Sequence, residues 1–371
     1  MDHTSQYLSF LRFCLHDGPC AEGAWDGMDW EGLHQFARKQ SLLGVVFRGV
    51  CRAGESGARP PRALMMQWVA ESEQIRKRNL LLNEAAAELS QRFALDGFRS
   101  CILKGQGNAL MYPDPYSRTS GDIDIWLEGG RRKVLAYVRQ SDPGAHLQYH
   151  HVDYPPVRGV GVEVHFFPSF FHNPLFNRRL QDYYRLESEA QFSNRTELPD
   201  GAGRVCVPTD GLNRVFQMTH ILHHLVDEGV GLRQLMDYYY LLESTSDTDR
   251  EKEAALIGRL GMTRFAGGLM YALGELLGLP RERMSVAPDE RTGRMIVEEI
   301  LQGGNFGRYD ERRARTAGRP GYLRQMCARI LRIGRILPGE MLCVPLFLAW
   351  HQAWKVGNRL RVKSEELRVK D

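Results

Sequence analysis

The chain has 371 residues, 43% hydrophobic and 25% charged, an ordinary globular make-up with room for two or three domains. Its net charge of +4 is uneven: Arg312 to Asp371 holds fourteen Lys/Arg against four Asp/Glu, a local +10 that leaves −6 on residues 1–311. Seven scattered cysteines, odd in number and never spaced as CxxC, exclude a disulfide framework and a zinc ribbon.

Residues 1–97 read as helical. Leu8, Leu11, Phe13 and Leu15 mark a first helix and Trp30 to Arg38 a second. From Pro61, residues Leu64, Trp68, Ile75, Leu82, Ala85, Leu89 and Phe93 recur at helical spacing until Asp96-Gly97 stops the run. Residues 98–208 change character. Short apolar runs at Cys101–Leu103, Ile123–Trp126 and Val160–Phe166 alternate with turn residues, and Arg131 to Gln140 reads as a helix. This predicts a small mixed sheet in an α/β module, so the fold class is α+β with helical flanks. Helical periodicity returns over 209–371, where Gly229-Val230-Gly231 breaks a helix pair and Gly318-Arg319-Pro320-Gly321 punctuates the basic tail.

Met1 to Phe13 lacks the basic region and apolar stretch of a signal peptide, which with reduced thiols gives a cytoplasmic expectation. The most apolar window, Met341 to Trp350, contains Pro345 and is half the roughly 20 residues a bilayer span needs. It is expected as an internal packed helix, with peripheral membrane contact as the alternative. The basic tail reads either as solvated helix faces or as a surface for nucleic acid, an acidic partner or anionic lipid.

The chemistry concentrates in Leu103-Lys104-Gly105 and in Gly121-Asp122-Ile123-Asp124-Ile125. In a strand, residues i and i+2 share a face, so Asp122 and Asp124 would stand side by side while Ile123, Ile125 and Leu127 face the core. Adjacent carboxylates repel unless a cation or proton lies between them, and Mg²⁺ is the usual ion when the other ligand is a phosphate. On the same ground, relief of repulsion in Asp124→Asn would leave the metal-free protein equally or slightly more stable. In Val162-Glu163-Val164-His165 the alternation puts Glu163 and His165 on one face, and a neighbouring strand would bring Glu163 to the aspartates. Gly105 ahead of a helix over Gln106–Met111 would present free N–H groups to a phosphate, with Lys104 adding a charge. Arg118 would hold a phosphate oxygen or form a structural salt bridge.

Leu-Lys-Gly, a short helix ending in Tyr112-Pro113, an arginine and then Gly-Asp-Ile-Asp-Ile resemble the nucleotidyltransferase superfamily of the DNA polymerase β type, and within it a bacterial group of nucleotidyltransferase family proteins. The likeness extends to Val162–His165, to His220-Ile221-Leu222-His223-His224 and to Gly231–Asp237, over roughly residues 75 to 245. It implies a metal-dependent transferase using a nucleoside triphosphate. Superfamily members usually carry Gly-Ser or Gly-Gly where this chain has Gly105-Gln106, so Lys104, Arg118 and backbone amides would have to hold the phosphates.

The expected reaction is attack by an acceptor hydroxyl on the α-phosphorus of a Mg²⁺-bound nucleoside triphosphate, with release of pyrophosphate. Asp122, Asp124 and Glu163 would be catalytic and would ligate one or two Mg²⁺ ions; Lys104, Gly105, Arg118 and Gly121 would contact nucleotide. His165, His220, His223, His224, Arg233 and Asp237 are the acceptor-side candidates, the acceptor being a small molecule, a glycan or a protein. His220 with His223 or His224 has metal-ligand spacing, but no acid stands where an HExxH helix needs it; Asp227 and Glu228 lie beyond. Arg233 and Asp237, four apart, are candidates to pair across a helix turn. The alternatives are a non-catalytic nucleotide- or ligand-binding module, and a nucleic-acid-modifying enzyme using the tail, the latter without any RNA-binding signature.

Overall fold

The computed structural model describes residues 3–310 and 327–368, so Gly318–Gly321 and part of the basic tail lie outside the described residues. Four helices come first: α1 (His3–Leu15), α2 (Trp30–Lys39), α3 (Leu43–Glu55) and the 34-residue α4 (Arg62–Leu95). Asp29 caps α2 by accepting the Gly32 N–H at 2.9 Å. Past Asp96 the chain reverses at Gly97, whose φ of 79° suits glycine.

The α/β module follows: β1 (Ser100–Ile102), a single turn α5 (Gln106–Ala109), β2 (Ile123–Leu127), α6 (Gly130–Ser141), β3 (His151–Val157) and β4 (Val160–His165). The sheet order is β1-β2-β4-β3, with β2 and β4 parallel and both outer pairs antiparallel. Strand β3 is not among the strands expected from the sequence, and it carries Pro155 and Pro156, residues that a central strand rarely tolerates. It lies at the sheet edge, where a missing N–H breaks no ladder bond, and its register shifts between Tyr154 and Val157. The turn to β4 is Arg158-Gly159, both at positive φ, as a two-residue hairpin of matching twist requires.

Helix α7 (Pro174–Gln191) leads into a separate hairpin, β5 (Arg195–Leu198) with β6 (Gly203–Cys206). Then come α8 (Asp210–Asp227), α9 (Leu232–Glu243), α10 (Asp247–Arg259), α11 (Thr263–Leu277) and α12 (Glu290–Gly303), and near the end the C-terminal helix Val344–Arg368.

Two apolar cores meet along α4. Its Trp68 joins a helical core that unites α1–α3 with α8, α9, α11 and α12. Its Leu82, Ala85, Ala86, Leu89 and Phe93 cover one face of the sheet. Tyr238, Tyr239 and Tyr240 are all buried, since α9 is surrounded rather than half-exposed. The Met341–Trp350 window departs from the expected packed helix: Leu342 and Leu346 are about three-quarters exposed, at 76% and 74%. No described helix is long and apolar enough to cross a membrane.

Candidate active site

The parallel pairing of β2 and β4 decides the geometry. Its register sets Asp124 directly beside Glu163 and Trp126 beside His165. Asp122 is one residue ahead of β2 rather than inside it, at the solvent-facing lip. Ligand atoms of Asp124, Glu163 and His165 all lie within 4.8 Å of one another. All thirteen residues singled out in the sequence line one cavity of about 780 Å³.

Asp124 is almost fully buried and holds two cationic partners on one oxygen. Lys104 Nζ is 3.1 Å from its Oδ1, and His165 Nε2 is 3.0 Å from the same atom. Its other oxygen, Oδ2, is buried with no hydrogen-bond partner among the described residues. Burial pushes the Asp124 carboxyl up, but Lys104 and His165 outweigh it and hold it well below the usual range. Asp122 is pushed the other way, first by the charge of Asp124 and then by burial. Glu163 is lowered: burial opposes ionisation, but the hydrogen bond from His165 prevails. His165, though buried, is pushed up to about 9 by the two carboxylates it touches, so it is an imidazolium at neutral pH. It contacts the acids rather than simply filling the sheet face.

Gly105 sits at φ 61°, ψ −104°, a backbone conformation that side chains resist, and turns the chain from β1 into α5. That helix spans four residues instead of the expected six, so its dipole is small, and its first residue Gln106 is buried rather than open to the cavity. Lys104 Nζ also lies 3.4 Å from His220 Nε2, which is 2.9 Å from His224 Nε2. Burial and then Lys104 hold His220 well below the ordinary imidazole value.

Arg118 is buried and bidentate to Asp237, with Nε to Oδ1 at 2.8 Å and Nη2 to Oδ2 at 2.7 Å. Tyr112 Oη and Asn108 Nδ2 donate to the same carboxylate. Of its two sequence readings, the salt bridge is what the geometry displays, and it clamps the loop before β2 to α9. Arg233 therefore does not pair with Asp237: its Nη1 donates to the Thr119 carbonyl, and its buried Nε has no partner among the described residues. Gly121 accepts from Arg78 Nη2 through its carbonyl. His223 Nε2 meets the Phe170 carbonyl.

Sequence reasoning missed several wall residues. His150 and His151 arrive at the start of β3, and His151 Nδ1 stands 3.4 Å from Glu163 Oε2. His151 is pushed down to about 4, by burial and then by the His165 charge. The only signal was a histidine pair ahead of an apolar run with prolines. His172, Phe347 and His351 come from a loop and the C-terminal helix, and nothing local in sequence marks them.

A crystal structure of an antigenic nucleotidyltransferase-like protein from Paracoccidioides brasiliensis is similar over 57% of this chain and 95% of that one, at 14% identity and a TM-score of 0.34. No curated protein matched. The model of the family described as "Uncharacterised nucleotidyltransferase" matches residues 26–278, well over half of the sequence, and the chain belongs to that family of nucleotidyltransferases.

Proposed function

We propose that the chain transfers a nucleoside monophosphate from a nucleoside triphosphate to an acceptor hydroxyl and releases pyrophosphate. The observation that carries this reading is the pairing of Asp124 with Glu163 across parallel strands, with Lys104 bound to the same carboxylate on a cavity wall. The donor set fits a hard divalent cation: Asp122, Asp124 and Glu163 supply oxygens, and the buried Oδ2 of Asp124 is without a partner among the described residues. These three residues would hold Mg²⁺, which when bound neutralises triphosphate charge and stabilises the transferring phosphorus.

The chain's own groups have separate tasks. Lys104, which binds the Asp124 carboxylate and lines the cavity, would contribute its ammonium charge to a phosphate oxygen of the triphosphate. Arg233, with its unpartnered Nε, adds positive potential to the same cavity. Glu163, ionised at neutral pH, accepts the proton of the attacking hydroxyl as its oxygen bonds to the α-phosphorus. The bond from that phosphorus to the bridging oxygen breaks, and pyrophosphate leaves with the electron pair. Arg118 and Asp237 position this apparatus by fixing the loop ahead of β2.

The test is a thermal-shift panel of the four nucleoside triphosphates with and without Mg²⁺, followed by transfer of label from an α-labelled triphosphate in cell extract. Binding to the folded state alone raises apparent stability by mass action. Mg²⁺-dependent stabilisation with labelling of an acceptor is expected. Stabilisation without labelling would instead identify a nucleotide-binding module.

A further inference from the structure

The cavity wall away from the three acids carries a second set of ligating atoms. His172 lies on the segment between β4 and α7, while His223 and Asp227 sit four residues apart on one face of α8. One ligand atom from each lies within 4.8 Å of the others. Both imidazoles have their other nitrogen engaged in the way metal-ligating histidines do. His172 Nδ1 is 2.8 Å from Glu340 Oε1, and His223 Nε2 meets the Phe170 carbonyl. That leaves His172 Nε2 and His223 Nδ1 to be offered, and His223 Nδ1 already stands 3.8 Å from Asp227 Oδ2. Glu340 is fixed in turn: it is buried, and its carboxylate accepts the backbone N–H groups of His172 and Asn173.

We propose that His172, His223 and Asp227 form a site for a divalent transition-metal ion of the zinc type, separate from the carboxylate site. Two imidazoles and one carboxylate are the donor set of zinc centres that keep a fourth position for water or substrate. The carboxylates beside β2 suit a hard, oxygen-seeking ion, whereas the imidazole-bearing set suits a softer one, so the two sites select different metals. The side chain of Asp227 is half-exposed, and all three residues line the same cavity as Asp122, Asp124 and Glu163, which places the open position on the cavity side. Aromatic rings separate the sites: Phe170 stands 4.4 Å from His223 and 5.1 Å from His150, centroid to centroid, and His150 stands 5.1 Å from His165. The fourth position would therefore receive an oxygen of the acceptor rather than the triphosphate. Metal binding here does not depend on the transferase reading; only this last role does.

The competing account is a pair of structural ion pairs, His223 with Asp227 and His172 with Glu340. Metal content of the full-length protein, measured after exposure to excess Zn²⁺ in millimolar Mg²⁺ and dialysis, separates the two. The wild type is expected to retain about one equivalent of zinc. Asp227→Asn and His223→Gln should lower retention by about tenfold or more, while Asp124→Asn and Glu163→Gln keep it. Asp227 is half-exposed, so its variant tests the ligand without threatening the fold, and circular dichroism verifies that. Cobalt(II) in place of zinc should give the visible absorption of a low-coordinate site in the wild type and lose it in Asp227→Asn. Absence of stoichiometric zinc in the wild type, full retention by either Asp227→Asn or His223→Gln, or loss in Asp124→Asn would overturn the proposal.

Discussion

Asp124 is the residue where the structure changes an expectation most. Seen as sequence, Asp122 and Asp124 repel, and Asp124→Asn would be neutral or stabilising without metal. In the fold, Lys104 and the protonated His165 both bind Oδ1, so the carboxylate is compensated and its removal leaves two cationic groups short of a partner. Asp124→Asn should therefore destabilise the metal-free protein by roughly 1–3 kcal/mol, the cost of stripping a partner from buried polar groups. Urea denaturation in chelator measures it, and equal or greater stability would restore the repulsion argument. The same variant should reduce label transfer by several orders of magnitude, because the ion's charge would be held by two carboxylates rather than three. Lys104→Ala separates the phosphate role from the metal role. It should leave Mg²⁺ binding in place and weaken triphosphate binding by about tenfold, read by nucleotide titration, since one charge-assisted contact is worth about 1.5 kcal/mol or more. An unchanged nucleotide affinity would confine Lys104 to neutralising Asp124.

At the scale of elements, the site depends on β2 and β4 lying parallel and on the loop before β2 being tied to α9. Of the first, the two strands and their adjacency were legible, because period-2 alternation in Ile123–Leu127 and Val160–His165 is a strong local signal and a shared apolar face favours neighbours, but nothing local fixes their parallel direction. The strand between α6 and β4 was not legible, because two prolines hide an edge strand from any propensity argument. With β3 went His150 and His151, which with His165 make up the three imidazoles clustered beside Glu163. The clamp on α9 was also illegible: local spacing pairs Asp237 with Arg233, whereas the fold brings Arg118 from 119 residues away. This ion pair is buried on both sides, with Tyr112 and Asn108 completing the carboxylate's hydrogen bonds. Asp237→Asn should cost about 3–5 kcal/mol by leaving Arg118 buried without its counter-charge. Arg118→Lys should also weaken the fold, since an ammonium cannot reproduce the two-point contact. Chemical denaturation measures both, and wild-type stability for Asp237→Asn would show that the clamp is dispensable.

Across the whole molecule, the cavity is assembled from elements remote in sequence: the sheet, the loop after β4, α8, α9 and the C-terminal helix, where Lys355 Nζ reaches Gln148 Oε1 at 2.8 Å. Local pattern finds the acids because they share a sheet with short-range alternation; it cannot find a wall built by long-range packing. That wall gathers imidazoles whose proton affinities diverge, and this gives the metal-free protein a defined pH dependence. Burial and then the His165 charge hold His150 well below its ordinary value of 6.5 and His151 at about 4, while burial and Lys104 depress His220. Each of these groups binds a proton more readily when unfolded, so its contribution is fully present above pH 6.5 and is lost as pH falls toward and through its folded value. His165 has the opposite sign. Its folded value of about 9 exceeds 6.5, so its contribution is present below pH 6.5 and is lost as pH rises through about 9. The stability of the metal-free protein should accordingly peak near pH 6.5 to 7 and decline on both sides, the alkaline loss amounting to roughly 3 kcal/mol for one fully separated proton. Urea midpoints across this range, in chelator, provide the measurement. His165→Asn should flatten the alkaline limb and leave the acid limb, and His151→Asn should do the reverse in part. A wild-type midpoint that holds constant from pH 6.5 to 9 would mean that His165 is not the imidazolium bridging Asp124 and Glu163, and the charge balance around those acids would have to come from Lys104 alone.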